Sequence, residues 1–227
     1  MYYIAGLTSS TQIVEGLAVF TTFRYFQYLI SRMRAIAPVA YAEAGGIRIA
    51  PKSLIGKIIA SPIGGLSIFI PPVTYILCVT FNRFVQPAWM QRMSLPTNTY
   101  FNHEIEVGLR VAACAATFVL LRVTARALTL LGNQWHAIGR REKSRLVQTG
   151  AYAVVRHPGY ASVLIQGLLF AVMTWSYAPL VALSFTAGMF AVKMPIEEDL
   201  IMQDATVAEE YRAYMQRVPA RVIPYLW

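Results

Sequence analysis

Between Leu146 and Tyr160 the chain reads Leu-Val-Gln-Thr-Gly-Ala-Tyr-Ala-Val-Val-Arg-His-Pro-Gly-Tyr, its densest run of side chains able to do chemistry. Gly150, two residues before Tyr152, lets backbone amides approach an anionic group. Pro158 breaks the chain and sets up a following helix, whose first amides favour negative charge. Arg156 and His157 add donors at the same point, so the cluster suits a carboxylate. Further on come Glu197-Glu198-Asp199-Leu200-Ile201, then Glu210-Tyr211-Arg212-Ala213-Tyr214, then Ile223-Pro224-Tyr225. Glu197 and Glu198 offer acceptors and a negative charge that tolerates a nearby cation, while Tyr152 and Tyr160 supply flat apolar faces with a polar tip. Each has a plainer reading when taken alone. Arg156 is then a membrane-flanking cation, His157 an interfacial histidine, and the two glutamates the charged start of a solvated helix. Their joint order is what carries the chemical reading.

In that order the residues resemble the isoprenylcysteine carboxyl methyltransferase family, and more broadly the membrane methyltransferases that include phospholipid N-methyltransferases. The family pattern is Leu-Val-x-x-Gly-x-Tyr, then Arg-His-Pro-x-Tyr, a helical hairpin, an Arg four residues before a Glu-Glu pair, and a terminal Tyr-x-x-Tyr with Ile-Pro. The likeness covers about residues 131–227, with residues 1–130 alike only in being membrane spans. It implies S-adenosyl-L-methionine as cofactor, released as S-adenosyl-L-homocysteine. It places the cofactor-binding stretch on Ser144, Arg145, Leu146 and Val147, the family's Tyr on Tyr152, and the His-Pro-x-Tyr segment on His157, Pro158, Gly159 and Tyr160. A further cofactor contact falls on Glu197, and Arg156 and Glu198 are the expected catalytic residues. The family's substrate-carboxylate Arg falls on Lys193. Ser144 also departs from the family, which has His there. Lys cannot make the planar two-oxygen grip that Arg makes, so Arg156 is expected to share that role.

The resemblance implies methyl esterification of the α-carboxylate of a prenylated C-terminal cysteine on a protein or prenylcysteine lipid. A carboxylate with a reference pKa of about 3.5 is already ionised, so desolvation and in-line orientation do the work without a general base. The prenyl chain would enter laterally from membrane lipid and the cofactor from the cytosol, at the endoplasmic reticulum membrane. The alternatives are a membrane phospholipid amine N-methyltransferase, whose substrate must first lose a proton, and a non-catalytic membrane homologue.

Such a site needs helices to hold it, and the composition supplies them. Of 227 residues 56% are hydrophobic and only 14% charged, well short of the quarter expected of a soluble domain. The expectation is one all-α integral membrane domain of about five transmembrane helices. They run over about 12–30, 58–81, 105–131, 161–175 and 178–194, the last two forming a tight hairpin around Ser176 and Tyr177. Glu15 and Arg24 weaken the first, and Pro62, Pro71, Pro72 and Gly64-Gly65 predict a broken second. Glu197 to Val218 reads as an amphipathic interfacial helix. Residues 1–11 lack the basic start and cleavage site of a signal peptide.

The formal charge of +9 resides in the loops, which argues against nucleic-acid binding. Residues 31–57 and 132–160 each carry a net +4 and residues 82–104 only +1, an alternation that puts 132–160 and the C-terminal cofactor-binding segment in the cytosol. Cys78 and Cys114 lie in apolar runs without metal-ligand spacing, so no metal is expected and both read as core residues. His103 and His136 join no constellation.

Overall fold

A computed structural model of the chain describes residues 9–61, 65–97, 102–136 and 138–224, and these are helical apart from one short two-stranded ribbon. The helices are α1 (Ser10–Ala44), α2 (Leu54–Ala60), α3 (Leu66–Phe81), α4 (Ala88–Gln91), α5 (His103–Leu131), α6 (Pro158–Thr174), α7 (Ala178–Met202) and α8 (Ala208–Arg217). Strand β1 (Ile47–Ile49) pairs antiparallel with β2 (Arg140–Arg141). Pro62, Gly64, Tyr225 and the first eight residues lie outside the described residues.

Both α5 and α7 are long and apolar enough to cross a membrane, while α3 and α6 are apolar but shorter. In the most apolar stretches of α5 and α7 only 28% and 22% of residues are buried, the reverse of a soluble core helix. Val119 and Val123 on α5, Ile165 and Leu168 on α6, and Val181, Phe185 and Val192 on α7 face outward. Surfaces this apolar are suited to lipid.

Three spans differ from the sequence reading. The expected second helix is divided, with Ser53 capping α2 through the Gly56 amide and α3 beginning at Leu66. The first helix continues to Ala44, well past Ile30, with Pro38 inside it. The expected tail helix is also divided. Helix α7 runs on through Glu197 and Glu198 to Met202, and a turn at Asp204 precedes α8. The Asp204 side chain accepts from the Thr206 amide at 3.2 Å and hydroxyl at 2.7 Å, a local bond that competes with helix continuation.

The chain forms two compact units. The first takes the chain up to Tyr28, Ser67–Leu121 and Leu164–Thr186; the second takes Leu29–Leu66, Arg122–Val163 and everything from Ala187 on. In the first unit, Ala18, Val79, Cys114, Phe170 and Met173 form a core against which Cys78 packs. A closed polar cluster lies inside it. Glu15 accepts from Arg110 Nη2 at 2.5 Å, Gln86 Nε2 at 3.0 Å and the Tyr75 hydroxyl, and Arg110 Nε donates to the Met173 carbonyl at 2.8 Å. The α6–α7 hairpin belongs here too, and a Cβ on Gly167 would meet Leu183 Cδ1 at 2.7 Å.

In the second unit the β1–β2 ribbon leaves no room for a side chain at Gly139, where φ is +138° and a Cβ would meet the Ile49 carbonyl at 2.8 Å. Arg141 closes the preceding loop, donating to the carbonyls of Trp135 and Gly45. Tyr211, Tyr214 and Val218 pack there with Leu146 and Ile201.

Candidate active site

The second unit encloses a cavity floored by the loop from Gln134 to His157. Gln134 shapes the loop, donating through Nε2 to the Lys143 carbonyl and accepting the Arg145 amide at 2.9 Å on Oε1. Gly150 adopts φ +62° against Leu130, a left-handed turn that glycine adopts without strain, and opens a 3₁₀ turn ending at Ala153. Arg156 and His157 are then fixed from behind, since their amides donate to the carbonyls of Ala220 at 3.0 Å and Arg221 at 2.8 Å. Pro158 follows as the first residue of α6, where its missing amide costs nothing.

Helix α7 supplies the opposite wall. Phe190, Lys193 and Glu197 recur at three- and four-residue spacing, so they share a face. Tyr160 is stacked on Phe190 with ring centres 4.3 Å apart and on His157 at 5.3 Å. Its hydroxyl donates to Glu197 Oε1 at 2.5 Å. Lys193 Nζ lies 5.0 Å from the Tyr160 ring centre and 4.0 Å from Glu197 Oε1. His157 Nδ1 is 3.6 Å from Glu197 Oε2.

Most residues singled out from sequence converge here. Arg145, Leu146, Val147, Tyr152, Arg156, His157, Pro158, Gly159, Tyr160 and Glu197 all line the cavity. Ser144, Lys193 and Glu198 are not among its lining residues. The Ser144 hydroxyl donates to the Arg141 carbonyl at 2.7 Å and so braces the loop. Glu198 sits at the centre of a latch: Oε1 accepts from Arg156 Nε at 2.9 Å, His157 Nε2 lies 3.1 Å away, and Oε2 accepts from Arg221 Nη2 at 2.9 Å. Arg156 Nη1 also donates to the carbonyls of Val218 and Pro219. The two glutamates therefore face different surroundings, and both are part-buried rather than the solvated helix start of the plainer reading.

Several lining residues carry no local sequence signal. Helix α5 contributes Thr124, Ala127, Leu128 and Leu131; α8 contributes Tyr211 and Tyr214, the Tyr-x-x-Tyr pair already noted in the sequence, and the Tyr214 hydroxyl donates to the Tyr152 carbonyl at 2.6 Å. Burial pushes the phenols of Tyr152 and Tyr211 up and that of Tyr214 up to about 12, so all three stay protonated donors. His136 lines the cavity as well. Burial, then Arg140, Arg141 and Lys193, hold it down to about 3, so it is neutral there. A histidine between two polar stretches gave no sign of this.

Fold and site together give a mostly helical protein, two of whose helices are long and apolar enough to cross a membrane, with an aromatic-walled cavity that has a carboxylate on one side and arginines on the other. The sequence profile of the Isoprenylcysteine carboxyl methyltransferase (ICMT) family matches residues 110–203, so this segment of the chain is similar to that family. The Arabidopsis thaliana protein named "Protein-S-isoprenylcysteine O-methyltransferase B" is 35% identical over 88 residues. That match covers 37% of this chain and 43% of the relative's length. The matched segment starts further back than the motifs read from sequence, taking in most of α5, and α5 walls the cavity with its last two turns. It stops before α8.

Proposed function

We propose that the chain is an S-adenosyl-L-methionine-dependent methyltransferase that esterifies the α-carboxylate of a C-terminal prenylcysteine. One observation carries this: the Arg-His-Pro-x-Tyr segment and Glu197, far apart in a segment that matches the methyltransferase family's profile, line one cavity. The donor set suits the cofactor. Trp135 and Tyr152 give flat faces for a nucleobase, Leu128, Val147 and Ile201 an apolar wall, and Glu197 a charge opposite to a sulfonium. When bound, the cofactor supplies an electrophilic methyl group.

The protein's own contribution is positional. Glu197, oriented by the Tyr160 hydroxyl, holds cationic or hydroxyl groups of the cofactor. Tyr160 is itself locked between Phe190 and His157, so the wall does not yield as the ligand turns. Lys193, beside Tyr160, neutralises an incoming carboxylate. The latch on Glu198 gives Arg156 and Glu198 the work of fixing the loop against residues 218–221.

The site works at the cytosolic face of an endoplasmic reticulum membrane, where the prenyl chain stays in lipid. Transfer of labelled methyl to N-acetyl-farnesylcysteine, with phosphatidylethanolamine as competitor, tests the reading. Ester formation on the prenylcysteine is expected. Transfer to the amine instead would refute it.

A further inference from the structure

Beside the cavity is a buried charge that its neighbours do not satisfy. The Arg140 side chain is only 6% exposed, and Arg140 lines the cavity with His136, Arg145, Tyr160 and Glu197. Its one acidic neighbour among the described residues is Asp204, which is fully buried. Asp204 is shared with a second cation. Oδ1 takes Arg48 Nη2 at 2.6 Å together with the Thr206 amide and hydroxyl, and these bonds hold its carboxyl at about 2 against the upward push of burial.

The other oxygen, Oδ2, has no hydrogen-bond partner among the described residues and faces Arg140 Nε at 3.6 Å, an ion pair beyond hydrogen-bonding reach. Two guanidiniums thus share one carboxylate. Arg140 Nε and Nη2 are sealed from solvent with no hydrogen-bond partner among the described residues. Arg141 cannot relieve the imbalance, because its own donors are spent on carbonyls.

A buried guanidinium with free donors is costly unless something brings an acceptor. A planar two-oxygen acceptor is its best match, and that fork is what Lys193 lacks. We propose that Arg140 is a carboxylate-binding residue of the cavity, supplying the grip that Lys193 cannot, an assignment that rests on the methyltransferase reading of this site. Two carboxylates fit that chemistry: the methionine end of the cofactor and the α-carboxylate of the prenylcysteine. Either would complete the charge balance of the Arg48–Asp204–Arg140 cluster.

Arg140→Gln and Arg140→Lys, made in the full chain in detergent, separate these sources. Three ligands are titrated: S-adenosylhomocysteine, 5′-methylthioadenosine (which lacks the amino-acid end) and N-acetyl-farnesylcysteine. If Arg140 holds the cofactor end, R140Q weakens S-adenosylhomocysteine about ten- to hundredfold and leaves methylthioadenosine unchanged. If it holds the substrate, R140Q raises KM for N-acetyl-farnesylcysteine by a similar factor and spares both nucleosides. R140K retains the charge without the fork, so it shows the same pattern at smaller amplitude, and it carries the test if R140Q does not fold. Wild-type affinity for all three ligands in the folded variants overturns the assignment, as does loss of methylthioadenosine in step with S-adenosylhomocysteine. A wild-type protein that binds no S-adenosylhomocysteine overturns the methyltransferase reading itself.

Discussion

The latch on Glu198 makes a prediction that separates scaffolding from chemistry. Glu198→Gln retains the volume and one acceptor but removes the charge that Arg156 and Arg221 share. The Glu198 and Arg156 side chains are 8% and 7% exposed, so this is a buried pair, and deleting one partner of such a pair costs about 3–5 kcal/mol. Two features reduce that. Arg156 keeps the carbonyls of Val218 and Pro219, and Arg221 is 33% exposed and falls back on water. About 2–3 kcal/mol should remain, which for a chain of this size lowers the melting temperature by about 5–10 °C. Thermal unfolding in detergent measures it, with Arg221→Gln and the double variant closing a cycle whose coupling should be about 1 kcal/mol. Because residues 218–221 hold the amides of Arg156 and His157, S-adenosylhomocysteine affinity should fall with stability. A variant that melts with the wild type but turns over far more slowly would refute the latch and return Glu198 to the chemistry.

Four further outcomes are expected. Lys193→Ala should impair turnover of N-acetyl-farnesylcysteine with S-adenosylhomocysteine affinity nearly intact, and Lys193→Arg should maintain or raise it; full activity in Lys193→Gln would remove Lys193 from the site. His136, at about 3 in the fold against an ordinary 6.5, takes its proton in the unfolded chain first. Stability is therefore lost as pH falls from about 6.5 toward 3, by up to about 1.4 kcal/mol per unit, and His136→Gln should flatten that limb of the melting-temperature profile. Cysteines placed at Lys143 and Ala220 should both react with an impermeant thiol reagent from the cytosolic side, and labelling from the opposite side alone would invert the orientation. Glu15→Ala leaves Arg110, buried in an apolar core, with only Glu106 and the Met173 carbonyl, and should cost about 2–4 kcal/mol in detergent melts, while adding Arg110→Met should restore part of it; no rescue would mean that Arg110 does not depend on Glu15.

What the sequence made legible was whatever local order encodes. Glycine before tyrosine, proline at a helix start and glutamates near a span end are local patterns, and they mark the loop and the α7 face that line the cavity. Partner choice was not legible. Glu15 looked like a flaw in a span, yet it is the centre of a cluster whose donors come from Tyr75, Gln86 and Arg110. Adjacent glutamates looked interchangeable, yet successive positions on a helix point about 100° apart. That rotation gives Glu197 to the cavity and Glu198 to Arg156 and Arg221.

Arg140 and Arg141 show the same rule with the larger consequence. Both counted as positive-inside loop charges, and as counts they were equivalent. In the ribbon, successive residues point to opposite faces. Arg141 turns to the carbonyls of Trp135 and Gly45 and is satisfied, whereas Arg140, which lines the cavity, faces Asp204 with two buried donors that make no hydrogen bond among the described residues. What decides between them is β1, nearly a hundred residues earlier, and an aspartate that Arg140 must share with Arg48. A charge tally over a loop orients a membrane protein, because a bilayer responds to the sum. A ligand responds to the individual donor left unpaired, and that depends on contacts no local window contains.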